Sequence, residues 1–171
     1  MTRINGQIPV AYLSDEHLRA EYYELPRICS LYRQRALKNH KFDDIPKSFS
    51  LGSGHVKFFY DKGQFLVDRW QSISHELRQR GFDIDTAETF KKFGVFRHEH
   101  MNSWYVNGLV RKIVDDEIRD RIADKVLHVN KTTVWHYYRQ PITPQECISL
   151  MYEDQIILRE TLRQNYLSKI I

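Results

Sequence analysis

Apolar residues recur every third or fourth position over most of this chain, and no segment carries a strong strand signal, so the periodicity predicts helix. The clearest run is Gln64 to Arg80, where Phe65, Leu66, Trp70, Ile73 and Leu77 fall on one face and Gly81 follows where a C-terminal cap belongs. An earlier helix begins at Asp15, capped by Ser14 and opened by the acidic pair Asp15 and Glu16, which suits the helix dipole. Leu18, Tyr22 and Leu25 form its apolar stripe. Pro26 lies inside the pattern and predicts a kink or a restart, with helix continuing to about Leu37. A third helix is predicted from about Trp104 to Leu127 on the spacing of Val106, Leu109, Val110, Ile113, Ile118, Ile122 and Val126. A fourth should run from the capping box Thr143-Pro144-Gln145-Glu146 to about Leu167.

Between these runs, residues 39–58 read as loop, punctuated by Asp43-Asp44, Ile45-Pro46 and Gly52-Ser53-Gly54, and residues 82–103 allow one short helix near Thr86 to Phe93. The expected fold is all-α: one compact domain of about three main helices with long loops, plus an extra C-terminal helix. A length of 171 residues supports a real core. No apolar run approaches the roughly 18 residues of a membrane span, and the first residues lack the apolar stretch of a signal peptide. A cytoplasmic protein is expected. Cys29 and Cys147 are too few and too far apart for a disulfide framework or a cysteine zinc site, and read as reduced, partly buried thiols.

The net charge is +4, from 26 Lys+Arg against 22 Asp+Glu, which permits a polyanionic partner without requiring one. The clustering is more informative. Arg27, Arg33, Arg35, Lys38 and Lys41 fall in a stretch without an acidic residue, with Tyr32 among them, and fit a phosphate-tracking surface as well as a solvated helix flank. At about 100° per residue, Glu21 lies roughly 40° from His17 and Glu24 roughly 20° to its other side. His17, Glu21 and Glu24 therefore share a narrow face, and Arg27 extends it. A carboxylate against a cationic groove is unfavourable for DNA binding unless the carboxylate does chemistry.

The chain begins Met1-Thr2-Arg3. Methionine is normally removed before a small residue, which would leave Thr2 with a free α-amine. Such an amine has a reference pKa of about 7.7–8, against about 10.4 for lysine, so a useful fraction is neutral and nucleophilic without burial. A neutral amine can attack a sugar C1′ and proceed through a Schiff base, with a nearby carboxylate stabilising positive charge and moving protons.

Several short segments, in one order, resemble a known family: Thr2-Arg3-Ile4-Asn5; His17-Leu18 with Ala20-Glu21-Tyr22; Glu24-Leu25-Pro26-Arg27; Leu51-Gly52 with Gly54-His55-Val56; Phe58-Phe59-Tyr60-Asp61-Lys62; and Arg80-Gly81-Phe82. Together they are similar to the pyrimidine-dimer DNA glycosylases of the phage endonuclease V type. The resemblance is dense over residues 2–82, thin over 83–117, and returns at Arg121-Ile122-Ala123 and from Trp135 to Ile142. It implies a mostly helical enzyme that cleaves the glycosidic bond of the 5′ pyrimidine in a cyclobutane dimer and then nicks the abasic site by β-elimination. It implies Thr2 as the nucleophile and Glu24 as the catalytic carboxylate. Arg3 and Arg27 would hold phosphates, His17 would belong to the active site, Arg121 would contact DNA, and Trp135 and Tyr137 would belong to an aromatic DNA-binding segment. The implied partner is double-stranded DNA carrying damaged bases, bound by a monomer without metal or other cofactor. Residues 1–142 would be the catalytic domain, with 143–171 a helical extension packed on it.

Three positions depart from the family pattern. Tyr23 stands in place of an arginine, so a phosphate contact is lost or replaced by stacking. Glu16 replaces a polar amide near the flipped-out base, and Glu117 replaces a basic residue. These departures leave open a different base lesion, or abasic sites alone, and a non-catalytic DNA-binding module is the alternative from another class. Among weaker signals, His98-Glu99-His100 reads as a surface turn because its spacing is not that of a helical zinc pair. Phe58, Phe59 and Tyr60 read as core, and Gly52-Ser53-Gly54 as the turn that positions them.

Overall fold

In a computed structural model of the protein, which describes residues 4–52, 54–128 and 133–170, three long helices carry the architecture. These are α1 (Asp15–Leu37), α3 (Gly63–Gln79) and α5 (Gly108–His128). Shorter elements complete it: α2 (His55–Phe58), α4 (Ala87–Lys91), α6 (Pro144–Ser149) and α7 (Ile156–Ile170), with 3-10 turns at Val10–Tyr12, Phe59–Asp61, Lys92–Val95 and His98–His100. The only sheet among the described residues is a hairpin of β1 (Trp135–Tyr137) and β2 (Gln140–Ile142). The expected all-α class holds, with this small sheet as an addition.

α1 starts where its cap predicts. The Ser14 side chain accepts from the His17 backbone N–H, one of the donors a helix start leaves without an intrahelical partner. The expected restart at Pro26 does not occur, and α1 runs unbroken to Leu37 although proline removes the hydrogen bond to the Tyr22 carbonyl. Burial on both sides of the proline explains this. Leu18, Tyr22 and Leu25 before it, and Ile28, Cys29 and Tyr32 after it, all lie in the core, and each large side chain removed from water contributes about 1.5–3 kcal/mol.

α3 lies against α1 and buries Leu66, Trp70, Ile73 and Leu77, as the periodicity predicts. It ends at Arg80, and Gly81 follows with φ +76°, the left-handed conformation a C-terminal cap demands. Phe58, Phe59 and Tyr60 are core residues. Both thiols are free and fully buried, and burial pushes the pKa of each up to about 12.

Two predictions for the second half need correction. α5 begins at Gly108, and Leu109, Val110 and Ile113 are exposed, so only Val114, Ile118, Ile122 and Val126 form its inner stripe. The fourth helix is two helices. Its capping box forms as predicted, with the Thr143 side chain accepting from Glu146 N–H, but α6 stops at Ser149. Arg159 of α7 then donates to the carbonyls of Leu150, Tyr152 and Glu153 and lies 3.7 Å from the Tyr12 ring centroid, holding the turn between the two helices. No helix among the described residues is long and apolar enough to cross a membrane.

Candidate active site

The site forms where the chain's first described residues meet α1. Ile4 and Ile8 are buried, and between them Gly6 adopts φ +59°. A β-carbon there would stand 2.5 Å from Ile118 Cδ1, so glycine lets the segment turn close against α5. Asn5 is gripped from α1: its backbone N–H donates to Glu21 Oε1 at 3.1 Å and its side-chain amide to Glu21 Oε2 at 2.8 Å. Arg69 of α3 donates to the same two oxygens at 2.9 and 3.0 Å, and to the Ile8 carbonyl at 2.6 Å. Arg121 of α5 donates to Asn5 Oδ1 at 2.6 Å.

The three residues expected on one face of α1 therefore separate by environment. Glu21 is fully buried and accepts four hydrogen bonds, which fills a carboxylate's acceptor capacity of about four lone pairs. Glu24, one turn further on, keeps its side chain 15% exposed and has a single partner among the described residues, the Arg27 guanidinium at 3.1 Å. That arrangement leaves carboxylate lone pairs of Glu24 without a partner among the described residues. Arg27 is 62% exposed at its side chain.

His17 faces elsewhere. Its ring stacks on Trp135, with centroids 4.9 Å apart and planes within 5°, and its Nδ1 lies 2.8 Å from Ser14 Oγ. Trp135 and Tyr137 differ from the expected base-stacking surface, since both are buried, at 5% and 2% exposure. Tyr137 donates its hydroxyl to the Ala11 carbonyl at 2.8 Å and lies under the Arg80 guanidinium. Burial also raises the Tyr137 pKa well above the ordinary phenol value. These aromatics pack the hairpin onto α1 rather than presenting a face to a ligand. Arg121 likewise turns inward to the Ile4–Asn5 backbone rather than outward, and its burial lowers its pKa from the usual arginine value.

Tyr23 is 67% exposed and sits edge-on to Tyr22, with ring centroids 5.1 Å apart. Beside it a cleft of ≈ 220 Å³ opens between α1 and the segment leading into α4, lined by Pro26, Asp83, Asp85, Thr89 and Lys92. Glu16 accepts from the His136 backbone N–H at 3.0 Å and lies 2.8 Å from its ring Nδ1. Of the basic run, Arg27, Arg33, Lys38 and Lys41 are exposed, whereas Arg35 is tied to Asp44 and the Lys41 carbonyl. Tyr32 is a core residue whose hydroxyl lies 2.6 Å from His100 Nδ1. Thr2 and Arg3 lie outside the described residues.

Arg69 was missed by the sequence reading; its only local signal is a charged residue on the apolar side of α3, next to Leu66 and Trp70. No group of three or more metal-ligating side chains gathers among the described residues. A gripped N-terminal segment, an available carboxylate one turn beyond the grip, and an exposed arginine beside it suit amine-based chemistry on a polyanion. The profile of the family described as pyrimidine dimer DNA glycosylase matches residues 1–90, more than half of the 171-residue chain, and the chain belongs to that family.

Proposed function

We propose that this protein is a bifunctional DNA glycosylase and abasic-site lyase, acting on cyclobutane pyrimidine dimers through an imine on the α-amine of Thr2. The observation that carries the proposal is the grip of Glu21 on Asn5. Glu24 lies three residues beyond Glu21, a rise of about 4.5 Å along α1. On this reading the Thr2 amine works within reach of that carboxylate.

The neutral amine attacks C1′ of the 5′ pyrimidine's sugar. The glycosidic bond breaks with its electron pair passing to the base, which takes the proton the amine gives up and stays tied to its 3′ neighbour through the cyclobutane ring; the sugar ring then opens as O4′ takes a proton from solvent, giving the protonated imine. The Glu24 carboxylate stabilises that cation and removes the C2′ proton. The resulting electron pair expels the 3′ phosphate, cutting the strand, and water then hydrolyses the imine to free the amine. Arg3 and Arg27 hold the phosphates around the lesion. Because C1′ is poorly accessible in a stacked duplex, the DNA must be kinked or a base flipped. His17, Trp135 and Tyr137 serve the site by fixing the start of α1 and its hairpin, and Tyr23 by meeting DNA with its exposed ring. Residues 1–142 act as the catalytic unit, a monomer on its duplex, with 143–171 packed on it as an extension.

A second reading keeps the imine chemistry and changes the lesion. The Tyr23 cleft supports it, since Asp83 and Asp85 give that cleft an acidic wall suited to a base edge rich in donors. Single-turnover assays separate the readings. Cleavage of the 5′ glycosidic bond in a dimer-containing duplex by the wild type, read as free base after photoreversal of the cyclobutane ring and lost in Glu24→Gln, supports the dimer assignment. Strand cleavage at an abasic site with no glycosidic cleavage at a dimer would transfer support to the second reading. Undiminished activity in Glu24→Gln would remove Glu24 from the mechanism.

A further inference from the structure

The outward face of α5 changes character along its length. At about 100° per residue, Leu109, Ile113, Glu117, Asp120 and Asp124 fall within one arc of about 80°. All five are exposed, Leu109 at 73% and Ile113 at 50%, and Val110 borders the arc at 58%. The arc is apolar where α5 begins and acidic further on, and from Leu109 to Asp124 it carries no basic residue. Exposed apolar residues clustered beside charge mark interaction sites. Carboxylates repel phosphates, so this face does not suit DNA although the chain as a whole carries +4. Glu117, which replaces a basic residue of the family pattern, lies within it.

Beside the arc a cleft of ≈ 670 Å³ opens between α5 and the turn from α6 to α7. α5 supplies Lys112, Asp115, Asp116 and Arg119 to its wall, and the turn supplies Glu153 and Asp154. Lys112 and Asp116 neighbour Leu109 and Ile113 on the helix surface, so cleft and arc are continuous. The Asp115 side chain is only 7% exposed, yet its Oδ1 is buried without a hydrogen-bond partner among the described residues. Its Oδ2 accepts from Arg111 Nε at 3.4 Å, well beyond the about 2.7–2.9 Å of a strong charge-assisted bond. Arg119 is committed elsewhere, to the Met151 carbonyl at 3.1 Å and Asp116 Oδ1 at 3.2 Å. An unmatched buried carboxylate oxygen is costly, and a cation brought in through the cleft removes that cost.

We propose that the arc and the Asp115 cleft together dock a basic amphipathic segment of a partner protein. Its apolar side chains lie on Leu109 and Ile113, and a lysine or arginine enters the cleft among Asp115, Glu153 and Asp154. Charge complementarity selects this occupant. Two copies of this chain paired through the arc would set carboxylates against carboxylates or against apolar side chains, whichever way the helices run. The site lies beyond residue 90, where the family match ends, and does not depend on the chemistry at Glu24.

The probe is a labelled helical peptide with leucines on one face and arginines beside them, titrated onto the full chain by fluorescence anisotropy. Two control peptides replace the leucines with serine or the arginines with glutamate. The wild type should bind the leucine–arginine peptide saturably and each control at least about tenfold more weakly. Ile113→Ser, Asp115→Asn and Asp154→Lys should each weaken binding about 10-fold. Ile113 and Asp154 are exposed, so their variants should melt with the wild type and separate loss of docking from loss of fold. Absence of saturable binding up to about 1 mM peptide would overturn the proposal. Wild-type affinity in both exposed variants would overturn it too, by placing the peptide elsewhere. A dimer in sedimentation that Ile113→Ser dissolves would make the face a contact between copies. A loss of duplex affinity in Ile113→Ser would make it a DNA surface. Either result would overturn the assignment to a basic protein segment.

Discussion

Arg69 and Arg80 are eleven positions apart, on α3 and at its C-cap, and each is buried against a carboxylate of α1. Arg80 pairs with Asp15 at 2.9 Å and Glu76 at 2.8 Å, donates to the Leu13 carbonyl at 2.8 Å, and lies over the rings of Tyr137 and Tyr138. Asp15 uses its other oxygen to accept from Arg139 N–H at 2.7 Å, which ties the hairpin turn to the start of α1. Arg69 pairs with Glu21 alone and reaches a carbonyl of the N-terminal segment. The chemistry is the same and the consequence differs. At the Arg80 end, carboxylates, guanidinium and aromatic rings join α1, α3 and the hairpin, so that end holds the fold. At the Arg69 end, the pair holds a short segment of chain near Glu24, so in the proposed mechanism that end serves the reaction.

The largest effect should come from breaking the Arg80 end. Arg80→Leu strands two buried carboxylates, and removing one partner of a buried pair costs about 3–5 kcal/mol. A urea titration should show that loss, and a variant within about 1 kcal/mol of wild type would mean the two ends are not as different as their geometry indicates. Next is Glu24→Gln, which should lower single-turnover cleavage at least about 100-fold. Because Glu24 has only one partner among the described residues, the exposed Arg27, the variant's stability should change by less than about 1 kcal/mol. Together these two variants sharpen the comparison: one empties the fold end with loss of everything, the other silences the reaction end with the fold intact.

Smaller again is Arg27→Ala. Its pair with Glu24 is largely exposed and worth about 1 kcal/mol or less, so melting should barely change. Loss of one phosphate contact should instead reduce the slope of log affinity against log salt by about one on undamaged duplex. An unchanged slope would place Arg27 outside the DNA interface. The smallest effect concerns the thiols. With Cys29 and Cys147 buried and their pKa values pushed up to about 12, neither should react with iodoacetamide at pH 8 in the native protein, and both should react in denaturant.

Much of the Glu24 side of the site was readable because its signals are local. Ser14 as a cap, the acidic first turn, the stripe of α1 and the Gly81 stop all depend on residues within a turn or two of one another. The nearness of His17, Glu21 and Glu24 also follows from helix geometry, but their separation into a docked ring, a saturated carboxylate and an available one does not. That depends on Arg69, 48 positions from Glu21, and on Trp135, which only the folded chain brings to them.

The hairpin was hidden for a specific reason. Its turn residues Tyr138 and Arg139 both have positive φ, 49° and 58°, a conformation usually signalled by Asn-Gly. Here Asp15 and Arg80 hold the turn from outside. The division of the last helix was hidden as well, because the group that satisfies the turn after α6 is Arg159 in α7. The exposed Leu109, Val110 and Ile113 show the converse, helical spacing without a neighbour to bury it.

The central claim is that the reaction end of α1 works on an amine delivered by the gripped segment. Its most direct measurement is borohydride trapping of protein with Met1 removed, on one duplex carrying a cyclobutane dimer and one carrying an abasic site, with the adduct mapped by peptide mass. A covalent adduct is expected with both, on the α-amine of Thr2 and on no lysine. An adduct mapped to a lysine, or none on either duplex, would contradict it.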